Sequence, residues 1–187
     1  MTRQNGPFFD ENYLRQGSPT NSTFAESIPR FAAVSDCTAG ATGVMISVGI
    51  PLQYGDVVTN LTFVSGDTAA DTPTHWGFAL YDTAGALLAQ TADQTTTAWA
   101  ANTVKTKALA TAQTITTPGI YFASMWMAAT AVVTLAGVNV QNAVVNGNLG
   151  LSAVVLAKTS GSSLAATAPA TIATPTTVKA IPYVVAS

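Results

Sequence analysis

The sequence predicts an all-β protein: an antiparallel β-sandwich, jelly-roll-like, with an extended N-terminal arm. Three observations lead there. Apolar residues alternate with a period of two in several segments, the signature of half-buried strands. Turn signals separate those segments at intervals of about 8–15 residues, the spacing of sandwiches and jelly rolls. No stretch combines a helical apolar period with helix caps.

Each element can be justified in order. TGVMISVGIPLQ (42–53) places Val44, Ile46, Val48 and Ile50 on one face of a strand. Gly55-Asp56 turns the chain into a second strand, VVTNLTFVSG (57–66), and DTAADTPT (67–74) has loop composition. HWGFALYD (75–82) sets Trp76, Phe78 and Leu80 on one face and His75, Gly77, Ala79 and Tyr81 on the other. TAG (83–85) then turns the chain and ALLAQTAD returns it, which reads as a hairpin. Further strands are expected in 98–109, 119–129, 131–137, 149–157 and 178–186. The segment 158–177 is low in complexity and rich in Ser, Thr, Ala and Pro, so an exposed loop or edge crossing is expected. Residues 120–138 are apolar over a length that could span a bilayer. The nearest cations are Lys107 and Lys158, however, and Thr and β-branched residues abound, so buried strands rather than a membrane span are expected.

Residues 1–35 have a different character. They hold six of the sixteen charged residues, and their apolar side chains come as isolated anchors with no sustained period. Such a segment cannot build a core of its own. It reads as an arm, 1–35, ahead of a sandwich domain, 36–187. Phe8, Phe9, Tyr13, Leu14, Phe24 and Ile28 are its candidate partner-binding anchors. The alternative is that these anchors order against the chain's own sandwich.

Composition excludes several functions. The chain has 187 residues, 9 % of them charged, with a net charge of −2. No cluster of Lys or Arg is present to neutralise phosphates, so nucleic acid is not an expected partner. So neutral a surface, with Ala and Thr forming about a third of the chain, points to assembly with other protein. The opening MTRQNGPFFDENYLRQ lacks an apolar signal-peptide core, and the lone Cys37 fits a reducing compartment.

Catalytic chemistry finds little to build on. No Asp or Glu follows Asp93, and the six aspartates from Asp36 to Asp93 all lie in turn-like contexts, where the carboxylate usually bonds its own backbone. His75, the single histidine, opens a strand, and no G-x-S-x-G elbow supplies a nucleophile for it. One Cys and one His do not make a zinc site. A calcium site at Asp67 and Asp71 lacks any supporting motif. No enzyme activity, cofactor or metal is therefore expected. Among the tryptophans, Trp76 and Trp126 lie in dense apolar strands and are expected in the core. Trp99 sits among Ala and Thr and is the candidate exposed ring for a glycan contact.

WGFALYDTAGALLAQTADQTTTAWAANTVKTKALA, TTPGIYFASMWMAAT and the closing IPYVVAS together resemble the β-sandwich domain of virion proteins in tailed phages of actinobacteria. The elements that carry the resemblance are Phe78–Asp82, Gly85, Leu87–Asp93, Trp99-Ala100 and Pro118–Phe122, within residues 40–187. It implies a structural role with no catalytic residues, on head decoration proteins and minor tail proteins alike. With only a short arm before the sandwich, the expectation is a capsid decoration (minor capsid) protein on the virion surface, assembled in the host cytoplasm. Its partner would be the major capsid protein and its state a homo-trimer. The alternative is a minor tail or fibre protein whose sandwich binds a receptor or a host surface glycan.

Overall fold

The computed structural model describes residues 25–37, 40–139 and 157–187. Its strands are β1 (Ala25–Glu26), β2 (Ser35–Cys37), β3 (Val44–Leu52), β4 (Val57–Val64), β5 (His75–Tyr81), β6 (Leu87–Gln90) and β7 (Val104–Thr114). They continue as β8 (Gly119–Ala128), β9 (Leu135–Asn139), β10 (Ala157–Ser160), β11 (Thr176–Thr177), β12 (Ala180–Pro182) and β13 (Val184–Ala186). Among the described residues the one helical element is a 3-10 turn, Arg30–Ala32.

The strands form a β-sandwich of antiparallel sheets. A four-stranded sheet runs β1-β13-β4-β7 and a six-stranded sheet runs β11-β10-β3-β8-β5-β6. A three-stranded sheet, β12-β9-β2, adds Leu135 and Ile181 to the same core. The alternation seen in the sequence sets which residues meet. Leu61 and Phe63 of β4 face Ile46, Val48 and Ile50 of β3 and Trp76, Phe78 and Leu80 of β5 in one apolar cluster. Phe63 and Phe78 touch across the two sheets at 4.6 Å between ring centroids. At the centre β3 and β8 pair over nine residues, from Val44 opposite Met127 to Leu52 opposite Gly119. Residues 120–138 thus supply β8 and β9 with the loop 129–134 between them, and among the described residues no helix is long and apolar enough to cross a membrane.

The other face of the six-stranded sheet is also covered, and here the structure departs from expectation. Met45, Ala79, Tyr81, Phe122 and Trp126 form a second apolar cluster with Ala168, beneath Leu164 and Ile172. The low-complexity segment is therefore not merely an exposed loop. Its first residues are β10, and 161–175 lie across the sheet as a strap. Side chains of the sheet hold it: Trp126 Nε1 donates to the Ala165 carbonyl (2.7 Å) and Tyr81 Oη to that of Pro169 (2.8 Å). Gln90 Oε1 accepts from the Ala168 amide (2.8 Å). The strap's own hydroxyls and methyls face water, which is why composition alone reads it as a free loop. Burial beneath the strap also pushes the Tyr81 phenol well above its ordinary pKa.

Strand limits shift for local reasons. The strand expected over 98–109 starts at Val104, because Thr95 and Asn102 take left-handed conformations in the loop before it. The strand expected over 131–137 starts at Leu135. Of the strand expected over 149–157, only Ala157 falls within the described residues.

The boundary at residue 35 also moves. Ala25 and Glu26 pair with Ala186 and Val185 at the edge of the four-stranded sheet, and Ser35–Cys37 pair with β9. Ala25 is fully buried and Ile28 is 7 % exposed within the main core. Residues 25–35 belong to the sandwich, and Ile28 is a core residue of its own domain rather than an anchor for a partner. An isolated apolar residue in a charged stretch looks like an anchor either way, and only the fold says on what.

Candidate functional site

The candidates drawn from the sequence fare differently. Phe8, Phe9, Tyr13, Leu14 and Phe24 lie outside the described residues. Trp99 is not an exposed ring: it is fully buried, 4.9 Å from Trp76 and 5.6 Å from Phe78 between ring centroids. Its small polar neighbours belong to a loop that folds the indole inward, so it offers a glycan nothing to stack on. Its Nε1 is buried without a hydrogen-bond partner among the described residues. Trp76 and Trp126 are in the core, as expected.

The corner that holds His75 is a clamp. His75 Nδ1 lies 2.6 Å from Asp93 Oδ2. The same carboxylate accepts, at Oδ1, the amides of Trp76 (3.2 Å) and Thr95 (3.0 Å). The group thus ties the start of β5 to the chain leaving β6. Among the described residues no Ser, Thr or Cys hydrogen-bonds the imidazole. Partial burial acts to raise the Asp93 carboxyl, but the hydrogen bonds and charge of His75 and the two amides outweigh it and hold the group below the usual carboxylate range. A carboxyl lowered by folding contributes stability that is present above its unfolded pKa, about 4, and lost as the pH falls through the folded value. Asp93→Ala is therefore expected to cost about 1–2 kcal/mol near pH 7. In urea melts its deficit against the parent should shrink toward pH 3; a deficit independent of pH would refute the clamp.

Three further aspartates, Asp36, Asp56 and Asp82, bond backbone amides. Asp56 Oδ2 accepts the Gln53 amide (2.7 Å), and Asp82 Oδ1 accepts those of Ala84 (2.9 Å) and Ala86 (2.8 Å). Asp36 Oδ2 accepts the Asp67 amide (2.6 Å) and the Thr134 hydroxyl (2.9 Å). Among the described residues no three His, Cys, Asp or Glu side chains gather as a metal site. Cys37 is buried in β2, and desolvation, with Asp36 adding, pushes its thiol up to about 11 against a weaker opposing bond from the Val138 backbone. Too little thiolate forms near pH 8 for attack. Folded protein is expected to react with a thiol reagent at least about a hundredfold more slowly than unfolded protein, as an absorbance assay would show.

Two features near the root of the arm were not foreseen. The first is a lock. Glu26, 2 % exposed, accepts at Oε1 the Tyr183 hydroxyl (2.5 Å) and the Arg30 guanidinium (3.1 Å), while Arg30 Nε donates to Tyr183 Oη (3.1 Å). Burial, and the hydrogen bond to the Glu26 carboxylate, raise the Tyr183 phenol. Tyr183 in turn leads Glu26 in raising the Arg30 guanidinium. The spacing of Glu26 and Arg30 was visible in the sequence; Tyr183, 157 residues from Glu26, was not.

The second feature is a groove of about 570 Å³ on the outer face of the four-stranded sheet. Val64, Val104, Thr106 and Val185 line it, with Arg30 and Tyr183 of the lock. Arg30 is its one charged lining residue. Val104 in the groove is 62 % exposed, and Phe31 and Val34, next in the chain to lining residues Arg30 and Ala33, are 72 % and 76 % exposed. No protein-family model matches the chain, and no curated protein sequence matches it.

Proposed function

We propose that the chain is a non-enzymatic virion structural protein, a capsid decoration protein that displays a β-sandwich on a phage head. In this reading the N-terminal arm docks on the major capsid protein and the sandwiches gather as trimers on the capsid surface.

The observation that carries the reading is the way the chain joins the sandwich. Polypeptide arriving from the arm is woven into a sheet edge at Ala25–Glu26 and secured by the lock of buried Glu26 and Tyr183 with the exposed Arg30. An arm so rooted can transmit load to a rigid domain. The elements of the phage resemblance support the same role. Asp82 and Gly85, at φ +86°, make the hairpin turn, and Trp99 and Phe122 are buried packing residues. His75 and Asp93, the nearest approach to a catalytic pair, are spent on holding strands together. The tail or fibre alternative is weakened by the burial of Trp99, its candidate glycan contact.

The test is the copy number of the chain in purified virions, by quantitative mass spectrometry against the major shell protein. Copies of the same order as the shell subunits are expected. A few copies per particle would move the protein to the tail, and absence from virions would end the reading.

A further inference from the structure

We propose that the groove on the four-stranded sheet is the seat of the chain's own residues 7–14, PFFDENYL, bound within the same polypeptide. The inference stands apart from any virion role.

Position favours it. β1 runs antiparallel to β13 with Ala25 beside Ala186, so the first described residue lies next to Val185 and Ser187, both lining residues of the groove. The 24 residues before Ala25 span up to about 80 Å when extended, several times what a return to the groove needs. The connecting stretch, GSPTNST (17–23), holds the Gly, Pro and Asn that reverse a chain.

Chemistry favours it as well. The groove is apolar along its floor and presents one cation, Arg30, at its wall. Residues 7–14 offer two adjacent aromatics, Phe8 and Phe9, followed by two carboxylates, Asp10 and Glu11, and then Tyr13 and Leu14. Aromatic rings suit the Val floor, and the polar residues between them can stay at the open side of the groove. A tethered segment faces its site at an effective concentration of about millimolar, so even modest affinity fills it. A groove of this size is within the range that envelops a compact ligand or a few side chains. Filling it would withdraw Phe8, Phe9 and the exposed Val104 from water together. If the arm also anchors the chain on a particle, groove and shell compete for one set of side chains.

Photo-crosslinking of the full chain tests this. Benzoylphenylalanine is placed at Val104, which is largely exposed and tolerates the change, or at Thr106 where the first position perturbs folding. Unlabelled and 15N-labelled protein are mixed, irradiated and digested with trypsin. The expected product joins the probe to the peptide 4–15, with both halves carrying the same isotope. Phe8→Asp with Phe9→Asp should cut that product by about tenfold or more, the factor set by removing a buried aromatic side chain, with near-ultraviolet dichroism unchanged. Mixed-isotope products would overturn the proposal in favour of a second copy as occupant. Folded protein that yields no 4–15 product from either position would overturn it outright. Neither outcome bears on the virion copy number, so the two readings fail separately.

Discussion

Trp126→Ala is expected to lower stability by about 4 kcal/mol and to free residues 161–175 from the sheet. The indole is fully buried in the second apolar cluster, and its Nε1 holds the Ala165 carbonyl at 2.7 Å. Truncating a buried tryptophan costs about 3–5 kcal/mol, and here an anchoring hydrogen bond goes with it. For a domain of this size that lowers the melting temperature by about 8–16 °C. Leu164, Ala168 and Ile172 would lose their principal platform, so the strap should become the first site of limited proteolysis. Trp126→Phe keeps most of the apolar surface and should fall between variant and parent. Cleavage that remains outside 161–175 in Trp126→Ala would show that the strap is held by other contacts. Gly77→Ala gives a partner test: a β-carbon at Gly77 would lie 2.6 Å from the Trp126 ring, so the indole must shift and the same loosening should follow, to a smaller extent.

Gly137→Val is expected to cost about 3 kcal/mol, at the upper end of what overpacking does. Gly137 is in the middle strand of the three-stranded sheet, opposite Ser35 on one side and Pro182 on the other. A β-carbon there would run into the Ile181 carbonyl oxygen and lie 2.7 Å from Cys37 Sγ. Backbone must move, because neither Ile181 nor Pro182 can swing away as a flexible side chain could. Chemical denaturation would measure the loss. The Cys37 thiol reports independently, since loosening β2 from β9 should raise its reactivity. Gly40→Ala, with nothing among the described residues within 4 Å of the added carbon, is the control and should be neutral. If the two substitutions cost the same, close approach at Gly137 has no energetic weight.

The strand faces were legible in the sequence because the period-two signal is local. Trp76, Phe78 and Leu80 face the main core, while Ala79 and Tyr81 face the second cluster, as alternation requires. The turn roles of Asp56 and Asp82 were legible for the same reason: each carboxylate finds amides within four residues. Trp99 was misjudged because its surroundings in the chain are Ala and Thr, whereas its surroundings in space are Trp76 and Phe78. The exposure of 161–175 was legible, but its hold on the sheet was not, because its apolar anchors, Leu164, Ala168 and Ile172, are widely spaced among hydroxyl-bearing and small residues.

By itself, then, the sequence determined the all-β class, the direction of most side chains in β3 and β5, the hairpin at Gly85 and the poverty of charged groups for chemistry. These follow from steric and hydrophobic rules acting over a few residues. The tertiary structure alone decided that both faces of the six-stranded sheet are covered, that the sandwich begins by Ala25, and that Glu26 meets Tyr183. It alone placed an apolar groove beside Ala25. Each of these depends on segments far apart in the chain being brought together, and their stabilisation comes from area buried between them rather than from any local preference.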